Sequence, residues 1–471
     1  MEGKYTMSDA TPHLDAALAA AAAGLDAGLA RLLELVAIPS ISAETAHVPD
    51  VRRAANWLAA DLSSMGFDAS VRDTRGHPMV VGHDTSAPDG APHVLFYGHY
   101  DVQPTDPLDL WDADPFVPAL VKQPDGETWI TGRGASDDKG AFMTFIEACR
   151  AWKSATGTLP CRVTVLLEGE EEIASPSLGP FLEATADELR ADVAVVCDTD
   201  MWDHDTPAIT TMMRGLMAEE FTITAANRDL HAGIFGGAAH NALQVMADVL
   251  ASCRAPDGSV AVAGFYDDVR ELTEEVRASW TMLPFDDSEF LGGVGLSAPA
   301  GETDRSVLEQ CWSRPCFEVH GIWGGYGGEG FKSVIPGKAH SKVSFRLVPD
   351  QDPETVRTAL RDHIRSQLPP DCRVEFKALG RASPVAMPVD SPMLHKALDA
   401  LRDEWGKAAI AGTGGSIAIL AEFRNRLGLD PLLVGFARFD NRVHAPNEKY
   451  DLSSYVHGTR SWVRILDRFA R

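Results

Sequence analysis

The feature that most constrains this chain is a set of short apolar runs that each lead into acidic residues or a histidine. In an open α/β sheet, sites form in the crevice beyond the carboxyl ends of the strands. Acids and histidines gathered there are typical of a metal site rather than of surface charge. The apolar runs and the polar residues after them are 94–98 before His99, 163–167 before 168–172, 193–197 before Asp198, and 432–436 upstream of His444.

Composition limits the class of protein. The chain has 471 residues, which exceeds one hydrophobic core and predicts at least two lobes. Its apolar content of 45% is ordinary for a globular protein. The formal net charge of −26 argues against nucleic acid or an anionic membrane as a partner. The simpler interpretation of that charge is solubility.

The cysteines and the N-terminal segment bear on location. Seven cysteines, an odd number without a C-x-x-C pair, predict reduced thiols in a cytoplasmic protein rather than a disulfide framework. No apolar run is long enough to span a bilayer, so we expect no membrane partner. The alanine-rich stretch 16–23 and the leucines that follow it, up to Leu35, predict an amphipathic first helix.

The pattern of elements predicts a discontinuous catalytic domain. Over residues 1–208, apolar strands alternate with helices, which favours a mostly parallel sheet with helices on both faces. Residues 209–382 repeat a strand–helix–strand pattern and predict an inserted, two-layer α+β lid or dimerisation domain. Within it, 255–332 is rich in Gly, Pro and acids and is expected to be irregular. The α/β pattern returns over 383–471.

His99, Asp101 and Asp137 are the first candidates for a metal site. A histidine at a strand end is often a buried, hydrogen-bonded residue, and an aspartate before a helix is often an N-cap. The neighbouring acids favour metal binding instead. Asp101 could then accept the other ring N–H of His99 and fix its orientation. A carboxylate such as that of Asp137 can bridge two cations, which lie roughly 3.5–4 Å apart in two-metal hydrolytic sites.

Three consecutive glutamates, residues 170–172, follow the second apolar run. Like charges there repel one another unless a cation or a proton compensates them. One glutamate can bind a metal, and its neighbour can take the proton of a water that the metal activates. The cluster therefore predicts hydrolytic chemistry.

Together these segments resemble the family of co-catalytic metallopeptidases that includes carnosine dipeptidases, aminoacylases and carboxypeptidase G. They occur in family order over nearly the whole chain, and only jointly are they specific. The matching segments are 98–104, 132–140, 168–172, Asp198, 229–233, 333–336, 345–349, 414–417 and His444.

The resemblance implies two divalent metal ions per subunit and a role for each residue around them. Zinc is the default for a mixed histidine and carboxylate set, and manganese and cobalt are the alternatives. The implied roles are His99 and Asp198 on one ion, Glu172 and His444 on the other, Asp137 bridging both, Glu171 as general base and acid, and Asp101 orienting His99.

The resemblance also implies roles for residues of the insert. His231 would enter the active site of the other subunit and stabilise the oxyanion, which predicts a homodimer; the alternative is a turn histidine beside Gly233. Arg346 would bind the C-terminal carboxylate of the substrate through its guanidinium fork; the alternative is an exposed strand charge. The same end of the substrate would be held by Ser416 and Gly415, with Ser333 as a minor contact.

The function that this resemblance implies is hydrolysis of dipeptides. Relatives that cleave dipeptides carry aspartate where this chain has Asp198, whereas acylases and carboxypeptidases usually carry glutamate. Gly412, Thr413 and Ala418 depart from the dipeptidase pattern, which bears on side-chain preference. One alternative is an N-acyl amino acid deacylase or a carboxypeptidase-type amidase. The alternative of another class is a non-catalytic metal-binding scaffold.

Overall fold

The structure is a computed structural model that describes residues 12–415 and 418–471. The chain forms two compact units. The first unit contains the chain up to Thr211, Met387–Ala411 and Glu422–Arg471. The inserted unit contains Met212–Ala386 and Gly412–Ala421. Residues 412–421 therefore group with the insert, whereas the sequence analysis assigned them to the second catalytic part.

The N-terminal stretch begins with two helices rather than the single expected one, because the chain bends at Gly24 and glycine is a poor helix former. Within the described residues, no single helix is both long and apolar enough to cross a bilayer; His13–Ala23 and Leu25–Val36 reach the required length only together, across a 58° bend. The elements are α1 (Pro12–Ala23), α2 (Leu25–Val36), α3 (Val48–Ser64), β1 (Asp68–Arg72), β2 (Met79–Asp84), β3 (His93–His99), β4 (Ala119–Lys122), β5 (Thr128–Thr131), α4 (Lys139–Thr156), β6 (Arg162–Glu168), α5 (Leu178–Thr185), β7 (Val193–Val196) and β8 (Ala208–Met213).

The inserted unit has two layers. Its antiparallel sheet has the order β11-β13-β9-β14, and α7 and α11 pack on β9. Side chains of β9 are alternately buried and half-buried, as expected when one face of a sheet is covered. The elements are β9 (Gly215–Thr224), β10 (Leu230–His231), α6 (Ala232–Phe235), α7 (Ala242–Ser252), α8 (Glu274–Thr281), α9 (Asp287–Gly292), α10 (Val307–Trp312), β11 (Cys316–Gly324), β12 (Val334–Ile335), β13 (Lys338–Leu347), α11 (Pro353–Gln367), β14 (Arg373–Ala382) and β15 (Val385–Ala386).

The expectation that residues 255–332 are irregular was right for most of this stretch and wrong for four short elements. This stretch contains three short helices and the edge strand β11. Every residue of β11 is exposed or half-buried, so the strand lacks the alternation of buried and exposed positions by which a strand is predicted.

The C-terminal stretch returns to the first unit and completes its sheet, except for residues 412–421, which group with the inserted unit. A π-helical turn, Phe423–Leu427, follows α13. The elements are α12 (Pro392–Trp405), β16 (Ala409–Thr413), α13 (Ala418–Glu422), β17 (Leu432–Gly435), β18 (Lys449–Asp451) and α14 (Leu452–Ala470).

The large sheet has a parallel centre, which confirms the predicted fold class. The central strands have the order β6-β3-β7-β17 and are parallel to one another, whereas β1, β2 and β8 pair antiparallel at the two sides. Helix α3 packs on β1 and β2, and α4 packs on β3. The carboxyl ends of four neighbouring strands therefore lie at one edge, where the polar residues of the sequence pattern follow them.

The core brings α4 close to the end of β3. Phe96 of β3 stacks on Phe145 of α4 with ring centroids 3.9 Å apart. At Gly98 a Cβ atom would lie 2.7 Å from Cβ of Phe142 and 2.9 Å from Oδ2 of Asp138. Glycine at this position therefore lets the start of α4 approach the strand end that carries the site.

Candidate metal centre

His99 is the last residue of β3, and its ring is buried. Its Nδ1 lies 3.2 Å from the carbonyl oxygen of Asp101 and 3.5 Å from the Asp101 carboxylate. Its Nε2 lies 3.0 Å from Oδ1 of Asp137 and 3.9 Å from Oδ2 of Asp198, yet it forms no hydrogen bond within the described residues. One ring nitrogen is thus held by Asp101, and the other faces two carboxylates.

Asp137 lies in the loop before α4 and faces two histidines. Its Oδ1 lies 3.0 Å from Nε2 of His99, and its Oδ2 lies 2.9 Å from Nε2 of His444. Burial raises the pKa of Asp137, but the two histidines outweigh burial and hold the pKa below its usual value. A carboxylate with its oxygens directed at separate imidazoles has the arrangement that a bridging ligand needs.

His444 and Glu172 form the other side of the centre. Nε2 of His444 lies 3.2 Å from Oε2 of Glu172. Asp137 and Glu172 raise the pKa of His444 to about 10. The backbone of His444 has φ of 58°, a left-handed conformation that is uncommon outside glycine and often occurs at functional sites. Gln103, which the sequence analysis gave no role, donates to Oε2 of Glu172 at 2.7 Å.

The five candidate ligands form two groups that share one residue. In each group the ligand atoms lie within 4.8 Å of one another: His99, Asp137 and Asp198 in one, and Asp137, Glu172 and His444 in the other. In the described part of the chain, the three carboxylates form ion pairs only with the two histidines. Excess negative charge, a buried ring nitrogen without a hydrogen bond and this mixture of donors fit divalent cations of the zinc, manganese or cobalt type.

Glu171 and Asp198 have strongly perturbed acidities. Burial raises the pKa of Glu171 to about 7, with His99 acting against the rise. Burial, followed by the charge of Asp137, raises the pKa of Asp198 to about 8. Glu171 lies outside both ligand groups, so its carboxylate is available for proton transfer. A general base works best when its pKa lies near the working pH.

Asp101 connects the two halves of the site. Its carboxylate is buried, and its two oxygens accept hydrogen bonds from the backbone N–H of Glu171 at 3.2 Å and of Glu172 at 3.1 Å. The carboxylate therefore fixes the short 3₁₀ turn Glu171–Ile173, whereas the backbone carbonyl oxygen of Asp101 forms the hydrogen bond with the ring of His99. The sequence predicted only the contact with the histidine.

Two other acids of the motifs have structural roles. Asp138 occupies the N-cap position of α4, but its side chain does not cap the helix; instead Oδ2 accepts from the backbone N–H of His99 at 3.0 Å. Glu170 accepts from the backbone N–H of His77 at 2.7 Å and of Ser177 at 2.9 Å. Only two of the three consecutive glutamates therefore face the metal centre.

Glu448 is a buried residue of the site that the sequence analysis missed. Its carboxylate accepts from the Arg133 guanidinium at 2.8 Å and from the backbone N–H groups of Gly134 at 2.9 Å, Ser136 at 2.9 Å and Asp137 at 3.0 Å. Four donors on one carboxylate fix the loop that carries the bridging residue. The sequence gives only a weak indication of this role: an acid stands four residues after His444 and directly before β18.

Comparison with known proteins identifies the family. A model of the peptidase family M20/M25/M40 matches residues 95–468, a range that contains every residue of the metal centre. The chain belongs to this family. The resemblance expected from the motifs is thereby confirmed.

Several proteins to which this chain is similar are dipeptidases. The Cys-Gly metallodipeptidase dug1 of Schizosaccharomyces pombe is 29% identical over 461 residues, which cover 94% of this chain and 96% of the relative. Human Beta-Ala-His dipeptidase is 30% identical over 385 residues, which cover 80% of this chain and 75% of the relative. The solved structure of the di-peptidase Dug1p from Saccharomyces cerevisiae has a TM-score of 0.76 at 26% identity and covers 98% of this chain and 99% of its own.

Two of the predicted site residues, His231 and Ser333, lie beside each other in the inserted unit. His231 is exposed, and its Nδ1 accepts from the N–H of Gly233 at 3.0 Å, so it caps the short helix α6. The carbonyl oxygen of Ser333 accepts from the N–H of Ala232 at 3.3 Å. This hydrogen bond joins Ser333 to the His231 segment, and the expected place of Ser333 beside Arg346 stays a prediction.

Arg346 is half-buried on β13 and has no carboxylate partner within 12–415 and 418–471. Arg214, which the sequence analysis did not single out, lies against the glycine segment: a Cβ atom on Gly414 would be 2.7 Å from its NH2. The N–H of exposed Gly415 donates to the Thr413 hydroxyl at 3.2 Å. The predicted substrate contact Ser416 lies outside the described residues.

Proposed function

We propose that this chain is a metal-dependent dipeptidase with a dinuclear centre. The observation that carries the proposal is the convergence of five ligands in which one carboxylate, that of Asp137, directs its two oxygens at the histidines of two ligand groups. His99 and Asp198 would hold one ion and Glu172 and His444 the other. Dipeptidase relatives that cover most of this chain support the reaction class.

The residues of the centre would have different roles in amide hydrolysis. When bound, divalent cations supply Lewis acidity and lower the pKa of a water to about 7. Glu171 accepts the proton of the attacking water on its carboxylate and returns it to the leaving amine. Asp101 holds the backbone of Glu171, so the position of the base is fixed before substrate binds.

The substrate's carboxylate is assigned to Arg346. Its guanidinium has no acidic partner in the described part of the protein, and a planar fork suits two parallel hydrogen bonds to a carboxylate. Gly415, Ser416 and Ser333 are assigned further contacts with the substrate, as the family resemblance implies. A terminal carboxylate bound in this way would favour short, unblocked peptides.

We also propose a homodimer in which His231 completes the partner's site. The inserted sheet ends at β11, whose exposed apolar residues support a contact with a second copy: Val319, Ile322 and Trp323 are 41%, 50% and 42% exposed. A histidine donor aimed at the developing oxyanion would contribute about 2.7–4 kcal/mol to transition-state binding.

We also propose zinc as the metal of the centre and the cytoplasm as the location of the protein. Zinc suits a site of two histidines and three carboxylates, and manganese or cobalt would suit it nearly as well. All seven cysteines are free, and four of them are buried. Unpaired thiols in this number support a reducing compartment.

A substrate panel tests the reaction class. The purified protein, loaded with Zn²⁺, Mn²⁺ or Co²⁺, is given unblocked dipeptides such as Cys-Gly and β-Ala-His, the matching N-acetylated amino acids, and C-terminally amidated dipeptides. Release of amino acids from the unblocked dipeptides alone is expected, because the amidated peptides lack the carboxylate for Arg346. Preferred cleavage of N-acetyl amino acids would show a deacylase, and no cleavage with any ion would show a scaffold.

Complementation tests the shared site. His231→Ala and Glu171→Gln chains should each be nearly inactive alone. After mixing, they should regain about one quarter of wild-type activity, because half of random dimers are heterodimers with one complete site. Glu171→Gln mixed with Asp137→Asn is the control that cannot complement, since both changes damage the same centre. Equal activity of the two mixtures would exclude a site completed by the partner.

A further inference from the structure

We propose that the first unit carries a second ligand site that binds a small amphipathic monocarboxylate. The site is a cavity of about 620 Å³ among α1, α2, α4, the end of α12 and α14, here called the helical cavity. It is separate from the dipeptidase proposal, because no residue of the metal centre lines it. Its volume lies in the range of roughly 300–1,000 Å³ that is typical of small-molecule sites.

The apolar wall of the helical cavity comes from the alanine-rich N-terminal helices. Small side chains on both sides of the bend at Gly24 leave space that leucines would fill. This explains a sequence feature to which the metal chemistry gives no role. The wall residues are Ala20, Ala21, Ala22, Gly24, Leu25, Ala27 and Gly28.

The opposite wall carries surplus positive charge. Nε of Arg460 donates to Oε1 of Glu404 at 2.6 Å, Nε of Arg464 donates to Oε2 at 2.9 Å, and Nδ1 of His457 lies 2.9 Å from Oε1. In the described chain, the terminal NH1 and NH2 groups of both arginines have no partner. Two guanidinium groups share one carboxylate, so one positive charge is left over even when the histidine is neutral.

The other charges of the cavity wall are matched. Arg31 binds Glu147 through two hydrogen bonds of 2.8 and 2.7 Å, and Arg150 binds Asp61 through two of 2.7 and 2.8 Å. Asp403, which also lines the cavity, accepts a hydrogen bond of 2.6 Å from Arg468. The surplus therefore belongs to the pair on α14. A local positive charge in a chain of net charge −26 favours a single anionic group as its partner.

A buried hydroxyl adds a third point of recognition. Tyr455 is 1% exposed, and its hydroxyl has no hydrogen-bond partner among residues 12–415 and 418–471. The hydroxyl points at the α2 wall, because a Cβ atom on Gly28 would lie 3.1 Å from it. Leaving a buried polar group unsatisfied is unfavourable, and an acceptor atom on a ligand would correct it.

These three features define the chemical class of the ligand. The single surplus positive charge matches a ligand with one carboxylate, and a guanidinium group binds a carboxylate well. The alanine wall suits an aliphatic or aromatic body on the same ligand. An uncharged molecule of the same size would leave the arginines without an anion, and an amine would be repelled by them.

Calorimetric titration of the metal-loaded protein with octanoate tests the site, with octanol and octylamine as uncharged and cationic controls. We expect saturable 1:1 binding of octanoate alone. Arg464→Gln, which leaves Arg460 and His457 on Glu404, should weaken binding about tenfold or more. Ala21→Leu, which fills the apolar wall, should weaken it similarly. Arg402→Gln is the matched control, because Arg402 binds Asp399 on α12 and neither of the two residues lines the cavity.

Each result decides the proposal. Weaker binding in both cavity variants, with unchanged binding in the control, supports it. If Arg464→Gln unfolds, the comparison between Ala21→Leu and the control is sufficient. Absence of saturable heat would overturn the site. So would equal affinity in all variants, since octanoate would then be binding elsewhere, for example at the metal ions.

Discussion

Two clusters of the first unit bury carboxylates in opposite electrostatic settings. At Glu404, burial acts to raise the pKa, but the histidine and two arginines that contact the carboxylate outweigh burial and lower the pKa to about 2. At two acids of the metal centre burial prevails: it raises the pKa of Glu171 to about 7 and that of Asp198 to about 8, whereas the two histidines that face Asp137 keep its pKa low. The first cluster surrounds one carboxylate with two arginines and a histidine, whereas the second offers several acids only two histidines.

This difference separates a carboxylate that protein cations neutralise from carboxylates that need cations from solution. A buried carboxylate that protein cations neutralise has its partners already and contributes to stability. A group of acids that has only histidines as counter-charges attracts protons or metal ions from solution. Perturbed acidity alone would mark both clusters, and Asp137 shares the lowered pKa of Glu404, so the distinguishing feature of the metal centre is the raised pKa of Glu171 and Asp198.

The largest expected effect is on turnover. Glu171→Gln should lower kcat for a dipeptide by about 10²–10⁴-fold, because the amide cannot accept the proton of the attacking water. Metal content, measured by elemental analysis, should stay unchanged, since Glu171 is outside both ligand groups. Glu170→Gln is the matched control: its carboxylate holds two loops, so thermal stability should fall while kcat changes little. A Glu171→Gln protein with normal turnover would remove the base from the mechanism.

The second effect concerns stability at Glu404. Because its folded-state pKa of about 2 lies below the ordinary 4.5, its stabilising contribution is complete above pH 4.5 and is lost as pH falls towards 2. The shift corresponds to a contribution on the order of 3 kcal/mol. Urea unfolding should therefore show that Glu404→Gln is destabilised at pH 6 and that its difference from wild type shrinks by pH 3. Asp403→Asn, which changes a more exposed neighbouring carboxylate, should show a smaller difference from wild type. If the difference in stability between Glu404→Gln and wild type stays constant with pH, the ion cluster is contradicted.

The smallest expected effect is at Glu448. Glu448→Gln should weaken metal affinity by about 10–100-fold, as is usual when a residue that orients a ligand is lost. Competition with a chromophoric chelator measures the affinity directly and without turnover. Asp440→Asn, in the same loop but paired with Lys449, should bind metal like wild type. Unchanged affinity in Glu448→Gln would mean that the Asp137 loop keeps its conformation without this carboxylate.

The sequence predicted what strand ends and residue chemistry determine. Parallel strands are continuous apolar runs, and their carboxyl ends share one edge, so the gathering of His99, Glu172 and Asp198 could be expected. Glu448 could not, because it binds backbone N–H groups more than 300 positions away, and such contacts leave no pattern. Strand β11 was missed because an exposed edge has no alternation, and the break at Gly24 because helical periodicity continues across it.

Asp101 has a consequence for how this enzyme can change. One carboxylate anchors the N–H groups of both Glu171 and Glu172, so the proton-transfer group and a metal ligand cannot shift independently of each other. A substitution that adjusts one of them for a new substrate disturbs the other as well. Substitutions that adapt the enzyme to different peptides are therefore expected at residues remote from this turn. The centre itself is expected to vary little while substrate preference diverges.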